Sequence, residues 1–343
     1  MTGPPREFVV IGENVHATRA LRLDGPQIVS DAHGREAIAF ADVDGEPLLL
    51  PIPDSEKRGQ AYLEGRVKHV KVAIEVAMAE GEDAATALAY LRTIARRQVD
   101  AGAHFLDVNV DELSPKLDIQ MAAMRWLARA LASEVPIPLS IDSSNLEIIR
   151  SGVEAIDGRP GPPMVNSASL ERPEALDLAA ETGGPVIVTA AGESGMPADA
   201  EERVANAGRM VELALSKGIP IGSIFVDALV FPISVDGQYG LHCLEAFRRL
   251  RERFGPEIRL TGGMSNVSFG LPNRRILNDA FVVLAIEAGA DSGIVDPVTS
   301  GLDRVLATDR GSRSFQLALD VLTGRDEHCR AYLKAWRAGE LET

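Results

Sequence analysis

The sequence predicts a single (β/α)8 barrel of the TIM type, and three observations carry that expectation. The chain has 343 residues, enough for one large barrel or for two smaller domains. Eight short, β-branched apolar runs recur along it, each followed by polar residues and then an amphipathic stretch of helical period. No G-x-G-x-x-G follows the first run, which counts against a doubly wound open sheet.

The first four runs are FVVIGEN from Phe8, HFLDVNVDE from His104, IPLSIDSSN from Ile137 and PMVNSAS from Pro163. PVIVTAA from Pro185, SIFVDALVF from Ser223, IRLTGGMSN from Ile258 and SGIVDP from Ser292 complete the set. Helices are expected at about 84–101, 117–133, 145–156, 171–182, 199–217, 240–254, 273–289 and 313–323. One region breaks the rhythm. About ninety residues separate the first run from the second, far more than one crossover needs. Residues 64–101 supply helix, whereas 20–60 read as an inserted β-hairpin excursion near the barrel mouth, turning at Asp44-Gly45. Such an insertion suits a surface decoration, a dimer contact or a lid. The whole chain, 1–343, is expected to be one domain.

Composition excludes several functions. The net charge is -15 and the basic residues are scattered singly, so no basic stripe is available for nucleic acid. Cys243 and Cys329 make neither a disulfide framework nor a CxxC site, and the six histidines form no HxH or HxxxH pair. No metal site is expected; Mg2+ is not indicated. No apolar run approaches the ~20 residues of a membrane helix, so no membrane association and a cytoplasmic location are expected.

In such barrels the chemistry sits at the C-terminal ends of the strands. Here those ends carry Glu13 and Asn14, Asp107 and Asn109, Asp142 and Asn145, then Asn166, Asp227, Asn266 and Asp296. One Asp or Asn after a strand is commonly a helix cap. Their return after nearly every strand makes a ring of donors and acceptors suited to a flat, hydrogen-bonding heterocycle. A pterin is such a ring, because its 2-amino-4-oxo pyrimidine edge offers paired N–H groups to a carboxylate. His16 follows the first strand and is a further candidate, while His104 opens the second and reads as structural. Ser143, Ser144 and Ser265 lack an adjacent histidine and G-x-S-x-G is absent, so serine nucleophilic catalysis is not expected.

The strings LDVN (106–109), IDSSN (141–145), VNSAS (165–169), DALVFP (227–232), SNVSFGLPNRRILNDAF (265–281) and AGADSGIVDP (288–297) together resemble the pterin-binding methyltransferase family. That family includes methyltetrahydrofolate:corrinoid methyltransferases and the folate module of cobalamin-dependent methionine synthase. The resemblance spans roughly 7–14 and 80–320, and SNVSFGLPNRR is its most specific part. It implies that Asp107 binds the pterin edge beside Asn109, with Asn145 and Asp227 also in the pocket. Ala228 stands where the family usually has Pro. Asn266 is implied to be catalytic, contacting the folate near N5. The family's G-E-R-x-N becomes Gly12-Glu13-Asn14-Val15-His16, leaving Asn14 and His16 as alternatives for its asparagine.

The implied reaction moves the N5-methyl group between methyltetrahydrofolate and the cobalt of a cobalamin-type corrinoid, in either direction. The corrinoid is expected on a partner protein, because Asp31-Ala32-His33 begins a D-x-H-x-x-G string that Glu36 does not complete. A homodimer is also implied by the resemblance. The rival readings are a dihydropteroate synthase-like enzyme and a non-catalytic folate-binding protein. Ser265-Asn266-Val267, where the synthases carry Ser-x-Arg, counts against the first, and Asn266 against the second.

Overall fold

A computed structural model describes residues 7–158 and 160–341. All eight expected runs form strands of one sheet: β1 (Val9–His16), β2 (Phe105–Asn109), β3 (Leu139–Asp142), β4 (Met164–Ala168), β5 (Val186–Thr189), β6 (Ile224–Asp227), β7 (Arg259–Thr261) and β8 (Ser292–Val295). They lie in chain order across the sheet, with β7 and β8 at its two ends. A parallel bridge between Gly263 and Ile294 joins those ends, so the fold is the (β/α)8 barrel.

Helices Ala84–Asp100, Leu117–Ala132, Leu146–Val153, Ala175–Thr182, Ala200–Ser216, Tyr239–Phe254, Arg274–Glu287 and Arg313–Leu322 match the amphipathic stretches. Their buried faces are mainly aliphatic, with Met and aromatic residues such as Met124, Phe247 and Phe281 among them, as the period requires. Three of the helices are capped by a side chain at the N-terminus: Asn145 accepts from the Glu147 amide, Asp199 from that of Glu202, and Ser312 from that of Phe315.

By their internal contacts the residues fall into two compact units, Gly12–Pro163 and the remainder of the chain. The insertion belongs to the first unit and is more than one hairpin. Ile28–Ser30, Glu36–Ala41 and Pro47–Pro51 form a three-stranded antiparallel sheet, and Leu21–Arg22 pairs with Arg66–Val67. The expected turn is present: Asp42 accepts from the amides of Asp44 and Glu46, and Gly45 takes φ +88°. An additional turn at 31–35 supplies the extra strand, with Asp31 accepting from the amides of His33 and Arg35 and pairing with the Arg35 guanidinium. That role accounts for Asp31 without a corrinoid. No described helix is long and apolar enough to cross a membrane.

The seam that closes the barrel is held by side-chain charges as well as by backbone hydrogen bonds. Asp291, at the entrance to β8, accepts from the Leu260 amide of β7 at 2.9 Å. The same carboxylate pairs with Arg251 at 3.1 Å and Arg259 at 3.3 Å. Removing it leaves the Leu260 amide without its acceptor and takes an anion from two half-buried arginines that keep carbonyl partners, a loss of about 1–3 kcal/mol. Asp291→Ala is therefore expected to lower the urea midpoint steeply. A variant within error of wild type would show that the seam does not depend on this carboxylate.

Candidate functional site

In the unit Gly12–Pro163, strand register assembles a cluster that sequence spacing alone does not display. Asp107 of β2 lies opposite Ser140 of β3, and Asn109 opposite Asp142. Both pairs become side-chain hydrogen bonds: the Ser140 hydroxyl donates to Asp107 Oδ1 at 2.5 Å, and Asn109 Nδ2 to Asp142 Oδ2 at 2.8 Å. His16, the last residue of β1, places Nε2 at 2.6 Å from Asp107 Oδ2 and 3.9 Å from Asp142 Oδ2. His16 joins the carboxylates, whereas the Asn14 side chain accepts from Arg19 at 2.6 Å.

Glu13 serves the same Arg19, at 3.0 Å. Gln98 receives the Asn14 amide, and a Cβ on Gly12 would fall 2.5 Å from the Gln98 Oε1, so glycine is needed for this close approach. Asn145 is spent partly as a helix cap. The cap is braced by Asp111, which accepts from Ser143 and Ser144. Ser143 and Ser144 thus hold the turn that precedes the helix.

His16, Asp107 and Asp142 hold donor atoms within 4.8 Å of one another, a composition that can bind a cation. The sequence offered no such cluster because the three residues come from three strands. The 2.6 Å contact is a hydrogen-bond length. Two cis ligands of one hard ion at 2.0–2.1 Å would sit about 2.9 Å apart. The contact is that of an imidazole hydrogen-bonded to a carboxylate.

Burial opposes charging His16, but the Asp107 hydrogen bond and the charges of Asp107, Asp142 and Glu13 outweigh it and raise its pKa above 6.5. Burial, then the Asp107 charge, push Asp142 well above the usual carboxylate range, against the opposing pull of His16 and Asn109. An imidazole raised in this way stabilises the fold below pH 6.5, and the contribution is lost as pH rises through the folded value. An NMR titration should find His16 above 6.5 and lower in Asp107→Asn; equal values in the two proteins would break the assigned contact.

In the other unit the predicted residues differ in how far they are committed. Asp296 accepts from the amides of Val298 and Thr299, a turn-forming role. Asn166 is buried within β4. Asp227 ends β6; one oxygen accepts from the Leu229 amide at 2.7 Å, and the other has no hydrogen-bond donor among the described residues. Fully buried Arg203 supports this corner by donating to the Ala228 and Leu229 carbonyls while stacking 4.7 Å over Phe231. Ala228 replaces the family's Pro, and its N–H reaches the Thr261 carbonyl at 3.4 Å, a bond that Pro could not make.

Asn266 lies in the 3-10 turn Met264–Ser268, packed against Gly263, where a Cβ would approach its amide to 2.7 Å. Its side-chain amide has no hydrogen bond among the described residues. Sequence reasoning missed Ser140, Arg203, Thr189 and Thr261. Only Ser140 had a usable signal, since LSID alternates polar residues onto the face that bears Asp142.

Burial raises the Asp227 pKa to about 6, against the Leu229 amide and the Arg203 charge. The stability linked to its proton is present below pH 3.8 and lost as pH rises through about 6. Asp227→Asn keeps an acceptor for Leu229 and should melt above wild type at pH values higher than 6, with the gap closing in acid. A pH-independent difference would remove this assignment.

A (β/α)8 barrel with carboxylates and amides at its strand ends defines a class of small-molecule-binding proteins. Residues 78–296 match the model of the pterin binding enzyme family. The chain is 30% identical over 285 residues to the methylcorrinoid:tetrahydrofolate methyltransferase of Eubacterium limosum, covering 81% of this chain and 95% of that protein. It is 33% identical over 214 residues to the methionine synthase of Mycobacterium tuberculosis, covering 59% of this chain but only 18% of the synthase. Dihydropteroate synthase from Xanthomonas albilineans in complex with 7,8-dihydropteroate is similar in fold, with TM-score 0.51 at 19% identity over 64% of this chain and 84% of that one. The chain belongs to the pterin-binding enzyme family, alongside its methyltransferases.

Proposed function

We propose that this protein moves the N5-methyl group between methyltetrahydrofolate and the cobalt of a corrinoid carried by a partner protein. The observation that carries the proposal is the match to the methylcorrinoid:tetrahydrofolate methyltransferase along 95% of that relative's length. The name of that relative puts methylcorrinoid on the donor side and tetrahydrofolate on the acceptor side. The methionine synthase match covers under a fifth of that larger enzyme. The dihydropteroate synthase likeness concerns fold alone.

The polar residues have distinct roles in this reading. Asp227 offers a free oxygen to the N–H groups of the pterin edge. Asp107, Asn109, Asp142 and Asn145 bind or orient the ring, with Asp107 held from both sides by Ser140 and His16. Glu13, Asn14, Asn166 and Asp296 complete the proposed set. The partner's corrinoid supplies a cobalt centre that gives or takes the methyl group. When tetrahydrofolate is methylated, N5 loses a proton; in the reverse direction it gains one. A group that stabilises changing charge at N5 therefore speeds both directions.

Asn266 fits that task because its amide is uncommitted and neutral, able to donate or accept without titrating. It cannot itself be a general acid; water is the proton carrier it would orient. Association of two copies, implied by the family resemblance, belongs to the same proposal.

Mixing the protein with cob(I)alamin and methyltetrahydrofolate, and following the corrinoid spectrum, tests the reaction. Binding of folate without spectral change would favour a non-catalytic folate binder. Asn266→Ala should slow transfer roughly 10²–10³-fold, the range for loss of one such donor, with folate affinity falling much less. Equal losses of rate and affinity at saturating folate, or neither, would take the catalytic role away from Asn266.

A further inference from the structure

We propose that Thr189 and Thr261 are ligand-binding residues, and that their hydroxyls flank Asp227 to form a three-residue shelf for the amino-oxo edge of the substrate ring. This rests on the pterin reading above. Thr189, Asp227 and Thr261 are the last residues of β5, β6 and β7. They are also register partners, Thr189 with Asp227 and Asp227 with Thr261. Residues paired across parallel strands point to the same side of the sheet, so the three side chains stand in one row at the strand ends.

Both hydroxyls are buried and neither has a hydrogen-bond partner among the described residues. Thr261 is wholly buried. Unpaired buried hydroxyls are scarce because each costs its desolvation without return. Elsewhere in this chain such groups are paired: Thr93, Thr182 and Thr323 donate to carbonyls in their own helices, and Ser292 to the Leu260 carbonyl. The contrast with Ser140 is closer still. Ser140 is also a register partner of an aspartate, and its hydroxyl donates to Asp107. Thr189 and Thr261 hold the same relation to Asp227 and do not bond to it, and the second Asp227 oxygen also lacks a donor. Three adjacent polar groups are therefore unspent in one row.

A ligand that satisfies the row must both donate and accept. A lone anion would meet the Asp227 carboxylate unfavourably, and a cation would leave the hydroxyl protons unused. A 2-amino-4-oxo pyrimidine matches: N3–H and the 2-amino group donate to Asp227, while the 4-oxo group and a ring nitrogen accept from the hydroxyls. On this assignment the two threonines raise affinity and select against rings that lack an acceptor beside the N–H pair.

Valine is the same shape as threonine without the hydroxyl, so Thr189→Val and Thr261→Val separate the two roles. Ligand-free protein should melt at or above the wild-type temperature, since an apolar isostere removes an unpaired group. Calorimetric affinity for methyltetrahydrofolate should fall about 5–50-fold per variant, the worth of a lost ligand hydrogen bond. Thr189→Ser and Thr261→Ser should recover most of it. Wild-type affinity in both Val variants would overturn the proposal. So would a parallel loss of melting temperature and affinity, which marks a structural role. Failure of the wild-type protein to bind methyltetrahydrofolate would instead sink the folate reading, and this shelf with it.

Discussion

Parallel register is the constraint on which the strand-end chemistry depends. A polar side chain at the end of one strand meets whatever its neighbour places at the paired position, and nothing in local sequence says what that is. In one unit the pairing sets Asp107 against Ser140 and Asn109 against Asp142, and each pair closes into a hydrogen bond. In the other it sets Asp227 between Thr189 and Thr261, and no bond forms. A slip of one residue in either strand would turn these side chains to the opposite face and replace them with apolar ones. Register is protected by the buried Val, Ile and Leu on either side, so core packing and site geometry are one specification.

Burial then decides the charge. Asp142 and Asp227 are both held above the ordinary carboxylate range by loss of water, but their neighbours differ. Asp142 also feels the negative Asp107 and is relieved by His16 and Asn109. Asp227 feels the positive Arg203, whose guanidinium is spent on the Ala228 and Leu229 carbonyls and never touches the carboxylate. The first arrangement keeps a proton within a cluster. The second keeps an acceptor that loses its proton near neutrality, when a ring bearing N–H donors could use it.

Much of this was legible in the chain. Eight β-branched runs and the helices between them are periodic over enough residues that tertiary context does not overrule them. The strand-end acids and amides could be named because they follow the apolar runs directly. What was not legible is instructive. His16 and Asn14 share one face of β1, and only the positions of Asp107 and Arg19 separate their roles. Thr189 and Thr261 read as ordinary β-formers, because β-branching suits a strand whether or not its hydroxyl is used. The inserted sheet was read as one hairpin because the Asp31–Arg35 turn has only Gly34 to mark it, at φ +75°.

The strand ends also differ in how far they are satisfied without a ligand, and that difference has a physical meaning. His16, Asp107, Ser140, Asn109 and Asp142 already bond to one another, so a ligand there must compete with or extend an existing network. Such a network costs little to keep and fixes orientation before anything binds. The Asn266 side-chain amide, the Thr189 and Thr261 hydroxyls and the second oxygen of Asp227 have no hydrogen-bond partner among the described residues, so whatever satisfies them contributes its full hydrogen-bonding gain to binding or to the proposed reaction. For the proposed transfer, whose difficulty lies in charge shifting at one nitrogen, uncommitted groups are the useful ones. Groups already saturated in the ligand-free protein can position a ring, but they have less left to give as the charge moves.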